Sequence, residues 1–228
     1  MVLMFHDIVK DKDAVKTEMQ LSAQTFEKLL TVLIDEGWHP LCYSELLEMI
    51  KTRQWREKSF YVSFDDIYES VYTIAYPILK KYKIPFIVFL NQALIDTKGY
   101  ITTEQVKRML LEVVPESGES SCVIGNHGMR HGLHRNISDI TMAEEYNKSR
   151  QLLEDAFGVK VDSYAFPYGG ISEVSMRNIK LLKLSNYTLG FSTYEGSVKS
   201  AWFTSNYFLP RVNVSEIIAD GFIRGKSD

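Results

Sequence analysis

The apolar positions of this chain change their period again and again, and each change marks an element. Val2-Leu3-Met4-Phe5 is a continuous apolar run of strand length. Beyond Ser22 the apolar residues recur as Phe26, Leu29, Leu30, Leu33 and Ile34, the spacing of a helix that lays one face on a core. Ser22 can cap that helix and Gly37 can end it. A second helical segment is expected from Glu45 to Lys51, and Phe60 to Phe64 reads as a strand buried on both faces.

The alternation continues to the end of the chain. The pattern predicts a helix from about Glu69 to Tyr82 and a strand over Ile84 to Leu90, with Pro85 near its start where a missing N–H is tolerated. A helix follows from Thr103 to about Val113, then a loop and a strand over Cys122 to Gly125. Ser138 is placed to cap a long helix that closes at Phe157 with Gly158 behind it. A strand over Val161 to Phe166, a helix from about Glu173 to Leu184, a strand over Tyr187 to Ser192, a strand near Phe208 to Val212 and a last helix opened by Ser215 complete the series. Strands alternating with helices imply a parallel sheet or barrel. No repeat, low-complexity tract or linker interrupts the pattern, so residues 1–228 are expected to form a single domain.

Composition narrows the function without naming it. The formal net charge of -3 excludes the basic balance of a nucleic-acid or anionic-membrane binder. Cys42 and Cys122 are eighty residues apart, with neither the spacing of a zinc ribbon nor that of a redox pair. The first residues lack the basic region and length of a secretory signal, and no apolar run reaches the ~18 residues of a membrane span, so the expected location is cytoplasmic.

The chemistry is concentrated at strand ends. Asp65 and Asp66 stand together after Phe64, and two adjacent acids there resist burial unless a cation or a proton lies between them. The bland alternative is a pair of carboxylates at the N-terminus of the following helix. Asn126-His127-Gly128-Met129-Arg130-His131-Gly132-Leu133-His134 holds three of the five histidines after another strand. His127 and His131 have the spacing that sets two imidazoles on one side of a helical turn, although Gly128 and Gly132 favour a turn or a short helix. With an aspartate from the other strand end they compose a His/His/Asp metal site, His134 being the weakest candidate of the three. His6 follows the first strand, Pro167-Tyr168-Gly169-Gly170 forms a rigid turn whose N–H groups can face a cleft, and Arg211 stands beside a late strand. His39 is read as a turn residue.

In this order, Ser63-Phe64-Asp65-Asp66, Asn126-His127 with His131, and Tyr164-Ala165-Phe166-Pro167-Tyr168-Gly169 resemble the three main motifs of the polysaccharide deacetylases, the NodB-homology group also called carbohydrate esterase family 4. Val2 to Asp7 and Leu209-Pro210-Arg211 resemble the branch that deacetylates poly-N-acetylglucosamine, with its acidic histidine near the N-terminus. The resemblance implies a distorted (β/α) barrel and metal-dependent hydrolysis of an N-acetyl group on a sugar or polysaccharide precursor. It implies that Asp66, His127 and His131 hold a divalent ion, zinc above all. Asp65 would be the base, His6 the acid, and Arg211 the partner that orients Asp65. Phe166, Pro167, Tyr168 and Leu209 would line the substrate, and the Tyr168 N–H would face the developing oxyanion.

The chain departs from that pattern twice. Ile67 stands where the family usually has glycine, and a branched side chain there could alter the turn that aims Asp65 or narrow the cleft. The arginine that often leads the third motif is missing, and Arg211 is expected to replace it. Two other classes remain beside the deacetylase: a carbohydrate-binding relative without turnover, and a metal-dependent hydrolase of another amide or ester.

Overall fold

A computed structural model describes residues 1–115, 117–199 and 205–224. The strands are β1 (Val2–Phe5), β2 (Asp7–Val9), β3 (Gln20–Ser22), β4 (His39–Pro40), β5 (Ser59–Phe64), β6 (Phe86–Leu90), β7 (Cys122–Asn126), β8 (Ser163–Ala165), β9 (Leu189–Glu195) and β10 (Leu209–Asn213). The helices are α1 (Ala23–Asp35), α2 (Tyr43–Thr52), α3 (Tyr76–Lys81), α4 (Thr103–Leu110), α5 (Asp139–Ala143), α6 (Ser149–Phe157), α7 (Met176–Leu184) and α8 (Glu216–Arg224). Single π-helical turns, Val71–Ala75 and Glu144–Lys148, lead into α3 and join α5 to α6.

β1 pairs in parallel with β5 on one side and with β10 on the other, which closes the order β5-β6-β7-β8-β9-β10-β1 into a seven-strand parallel barrel. β4 lies beside the first residues of β5, and β1 takes over that edge from Tyr61 onward. A separate parallel pair, β2 with β3, follows the first barrel strand. The expected distorted (β/α) barrel is therefore the fold.

Two apolar layers follow from the period of two along each strand. Val2, Tyr61, Ile87, Phe89, Leu189, Phe191 and Leu209 fill the barrel, whereas Leu3, Phe5, Phe60, Phe64, Val88 and Leu90 face outward. The outer set packs against Phe26, Leu29, Leu30 and Leu33, the expected stripe of α1, whose Ser22 cap accepts from Thr25 N–H at 3.2 Å. Inside, Gly125 of β7 makes room for Phe89, since a Cβ there would stand 2.3 Å from its ring.

Several boundaries moved for local reasons. The helix after Pro167 starts at Met176 because Ser175 and Asn178 form its capping box. α4 ends at Leu110, ahead of a bridge between Val113 and Ser120. His39 is a strand residue whose Nε2 lies 3.0 Å from the Glu45 carboxylate. Among the described residues neither Cys42 nor Cys122 forms a disulfide, and both are buried.

Candidate active site

His6, Asp65, Asp66 and the histidine loop follow the C-terminal ends of β1, β5 and β7, the end at which β/α barrels carry their chemistry, while Arg211 lies in the middle of β10. β1 and β5 run in register, Phe5 opposite Phe64, and the Asp65 N–H donates to Phe5 O at 2.9 Å. His6 and Asp65 therefore emerge side by side. By strand alternation Asp66 would point away from Asp65. Asp66 and Ile67 instead adopt left-handed φ angles of 64° and 54°, and this turn brings Asp66 back over the barrel mouth.

Asp65 is 2% exposed and held from two directions by one arginine. Arg211 Nη1 donates to its Oδ1 at 2.7 Å and Nη2 to its Oδ2 at 2.6 Å, a bidentate charge-assisted pair. Arg211 reaches it from inside the barrel, with Nε donating to Ser192 O at 2.9 Å and the guanidinium 5.5 Å and 5.9 Å from the rings of Phe89 and Phe191. Burial alone would push the Asp65 carboxyl up. Arg211, aided by His127 and His6, holds it below the usual carboxylate range. His6 is also buried, and burial lowers its pKa against the opposing pull of Asp65 and Asp66.

Asp66 has different neighbours. Its Oδ1 lies 3.4 Å from His127 Nε2 and 3.0 Å from His131 Nε2, and the three candidate ligand atoms fall within 4.8 Å of one another. Burial raises the Asp66 pKa, but the two imidazoles outweigh it and the net shift is strongly downward. His127 is fixed by its ladder bond to Leu90 O and by Nδ1, 2.8 Å from Ala165 O. A carbonyl can only accept, so Nδ1 carries a proton. Burial alone would lower the His127 pKa, but Asp65 and Asp66 outweigh it and raise it, so Nε2 faces Asp66 carrying a proton that a divalent ion would displace. Asp66 Oδ1 is itself buried without a hydrogen-bond partner among the described residues. One carboxylate and two imidazoles converge here, and the 3.0 and 3.4 Å separations are close to the ~3.3 Å edge of a tetrahedron with zinc-length bonds. The residues present thus fit a divalent ion. The bond from His127 to Ala165 O is the outer-shell support that metal-binding histidines commonly have.

His127 and His131 are joined by a turn rather than a helix, as the two glycines suggested. His134 lies apart, 1% exposed among the rings of Tyr146, Tyr164 and Phe166. Tyr168 is 55% exposed, with its ring edge-on to His131 at 4.9 Å, and Pro167 behind it is buried. The expectation that Phe166 and Leu209 line the substrate is corrected. Both are 0% exposed, Phe166 packed with Tyr146 and Tyr164 and Leu209 turned into the barrel with Phe191. They support the site from below.

Sequence reasoning missed the support behind the histidine loop. Asn126 points outward from β7, where its Nδ2 donates to Ser149 Oγ at 2.6 Å and Tyr187 Oη at 2.7 Å, while its Oδ1 accepts from Gly128 N–H at 2.8 Å. Its signal was an amide at a strand position whose parity faces an apolar layer.

The polysaccharide deacetylase family matches residues 52–187, a span that holds Asp65, Asp66, His127, His131 and Tyr168 but neither His6 nor Arg211. A poly-beta-1,6-N-acetyl-D-glucosamine N-deacetylase of Staphylococcus aureus is 27% identical over 203 residues, covering 86% of this chain and 68% of the relative. The fold is shared with the Streptococcus pyogenes deacetylase PplD, solved in complex with acetate, at a TM-score of 0.84 and 21% identity over 100% of this chain and 97% of that one. It is shared also with IcaB from Ammonifex degensii, at 0.78 and 23% over 98% and 94%. With the family match spanning more than half of its residues, the chain belongs to the polysaccharide deacetylases.

Proposed function

We propose that this protein is a metal-dependent carbohydrate N-deacetylase that hydrolyses the N-acetyl groups of a poly-N-acetylglucosamine chain or its precursor and releases acetate. The observation that carries the reading is the buried Asp65–Arg211 pair set directly beside the Asp66, His127 and His131 cluster. The similarity to the S. aureus enzyme supports the choice of sugar.

Asp66, His127 and His131 hold the ion, with zinc the best fit to two imidazoles and one carboxylate. Bound there, a divalent ion supplies a Lewis acid for the amide oxygen and makes water more acidic. Asp65 is kept ionised by Arg211 and still has unused lone pairs, so it can take the proton of the attacking water. His6, beside Asp65 at the end of the neighbouring strand, delivers a proton to the departing sugar nitrogen. The Tyr168 ring lies against His131 and, being exposed, offers a face to the sugar, and the Tyr168 N–H is assigned to the negative oxygen by the family resemblance. Water and the amide become acetate and a free amine. Ile67 does not close the cleft, because its side chain is 1% exposed in the outer apolar layer.

The test is acetate release from N-acetylglucosamine oligomers, read beside the metal content of each variant. The wild-type chain should release acetate and hold about one zinc. Asp66→Asn should lose both, and Asp65→Asn should keep the zinc while activity falls by about 10²- to 10⁴-fold. A wild-type chain that releases no acetate with any added divalent ion would overturn the reading, as would full activity in Asp65→Asn.

A further inference from the structure

His127 and His131 reach Asp66 from the two ends of a short connection, and that connection is anchored at Gly128 and Met129. All four backbone polar groups of this pair are bonded. Gly128 N–H donates to Asn126 Oδ1 at 2.8 Å, and Gly128 O accepts from Gln92 N–H at 3.2 Å. Met129 O accepts from Ala93 N–H at 3.1 Å, and Met129 N–H donates to Glu145 Oε2 at 2.5 Å.

Glu145 is 7% exposed, an uncommon place for a carboxylate. It sits in the π-helical turn Glu144–Lys148, flanked by the buried residues Met142, Tyr146 and Ser149. π-Turns insert one residue into a helix and gather at functional sites. The Asn126 amide and the Ser149 hydroxyl both contact Glu145 O, so the turn is tied to β7 as well. Gly128 completes the fit. At its φ of +81° a Cβ would stand 2.7 Å from Glu145 Oε2 and 3.0 Å from Tyr164 Oη, so the carboxylate occupies the space any larger residue would need.

We propose that Glu145 is a positioning residue for metal binding, a latch that fixes the His127-to-His131 connection and so delivers His131 to the ion. The inference rests on the metal-dependent reading above and deepens it. Glu145 acts on His131 rather than on His127. The latter is already held by β7 and by Ala165 O, whereas His131 follows the anchored pair by two residues and adopts a left-handed φ of 53°. The useful property of Glu145 is its acceptor oxygen, which glutamine also has.

The test is zinc affinity of the full chain by competition with a chromophoric chelator, with thermal melting to confirm folding. Glu145→Ala should weaken zinc binding by about tenfold or more, the range seen when outer-shell support of a metal site is removed. Glu145→Gln should stay within about threefold of wild type, and Glu145→Asp, which withdraws the carboxylate by one methylene, should weaken binding even if the alanine variant does not fold. In a His131→Ala background, Glu145→Ala should cost nothing further, because the two changes remove the same contribution. Unchanged affinity in both the alanine and aspartate variants would overturn the latch and leave the metal reading intact. So would a glutamine variant as weak as the alanine one, or an equal loss with and without His131. A wild-type chain that binds no divalent ion would overturn the metal reading itself.

Discussion

Asp65 and Asp66 are neighbours in sequence and belong to different environments. Both Asp65 oxygens accept from Arg211 inside the barrel, one hydrogen bond each, so the charge is paired while each oxygen keeps a further lone pair. Asp66, one residue on, has crossed into a left-handed turn, and its Oδ1 lies between two imidazoles without a hydrogen-bond partner among the described residues. A closed ion pair resists change, while an open acceptor among ligand atoms invites a cation. Two like groups whose surroundings push them apart are the usual basis for dividing roles between acids. Here a backbone turn of two residues makes that division.

The strongest way to break the contrast is to unpair the closed side. Arg211→Met leaves Asp65 buried without its partner, and losing one half of a buried pair costs about 3–5 kcal/mol. Chemical denaturation should show that loss, and the acetate assay should show a fall in turnover at temperatures where the variant is folded. Combining it with Asp65→Asn should restore much of the stability, since no isolated charge remains, but no activity. A variant with unchanged stability, turnover and pH profile would mean that Arg211 does not orient Asp65.

What was legible in the sequence follows the same line. Asp65, Asp66, His127 and His131 could be found because ionisable side chains at the ends of apolar runs have few structural explanations. Arg211 was expected to meet Asp65 through the Leu-Pro-Arg resemblance, and the barrel does bring them together, because β10 and β5 are both neighbours of β1. That closure is a pairing between strands far apart in the sequence, which the pattern within either strand does not show. Phe166 and Leu209 were misplaced for a related reason: a motif names a residue but does not say which face of its strand it occupies. The π-turn that presents Glu145 was invisible, since its apolar spacing differs from that of a regular helix by one residue.

The histidine loop offers a smaller test of the same division between open and closed. His134 shares the loop with the proposed ligands but is sealed among aromatic rings, and burial, with His127 and His131 adding to it, lowers its pKa to about 3. A folded pKa below the unfolded value of 6.5 means that the unfolded chain takes up the proton first. The stability is therefore fully present above 6.5 and is lost as pH falls toward 3. Between neutral pH and pH 5 this amounts to about 2 kcal/mol. His134→Phe should flatten that part of the stability profile, measured as the difference between the two chains at each pH. Parallel profiles would show that His134 takes up its proton within the folded chain without cost.

The smallest expected effect concerns the residue that makes the turn. Ile67 has a φ of 54°, where a residue with a Cβ gives up roughly 1–2 kcal/mol relative to glycine, and a branched one more. It compensates by burying its side chain in the outer layer, worth about 1.5–3 kcal/mol, while its carbonyl accepts from Ile101 N–H at 2.9 Å. Strain and burial nearly offset, so Ile67→Gly should lower stability by only about 1 kcal/mol. Because the side chain points away from the barrel mouth, kcat/KM should remain within about twofold of wild type. A large gain in kcat/KM would show that isoleucine had been holding Asp65 or Asp66 out of line. A large loss would show that outer-layer packing at Ile67, more than the left-handed backbone itself, keeps the two carboxylates in their separate environments.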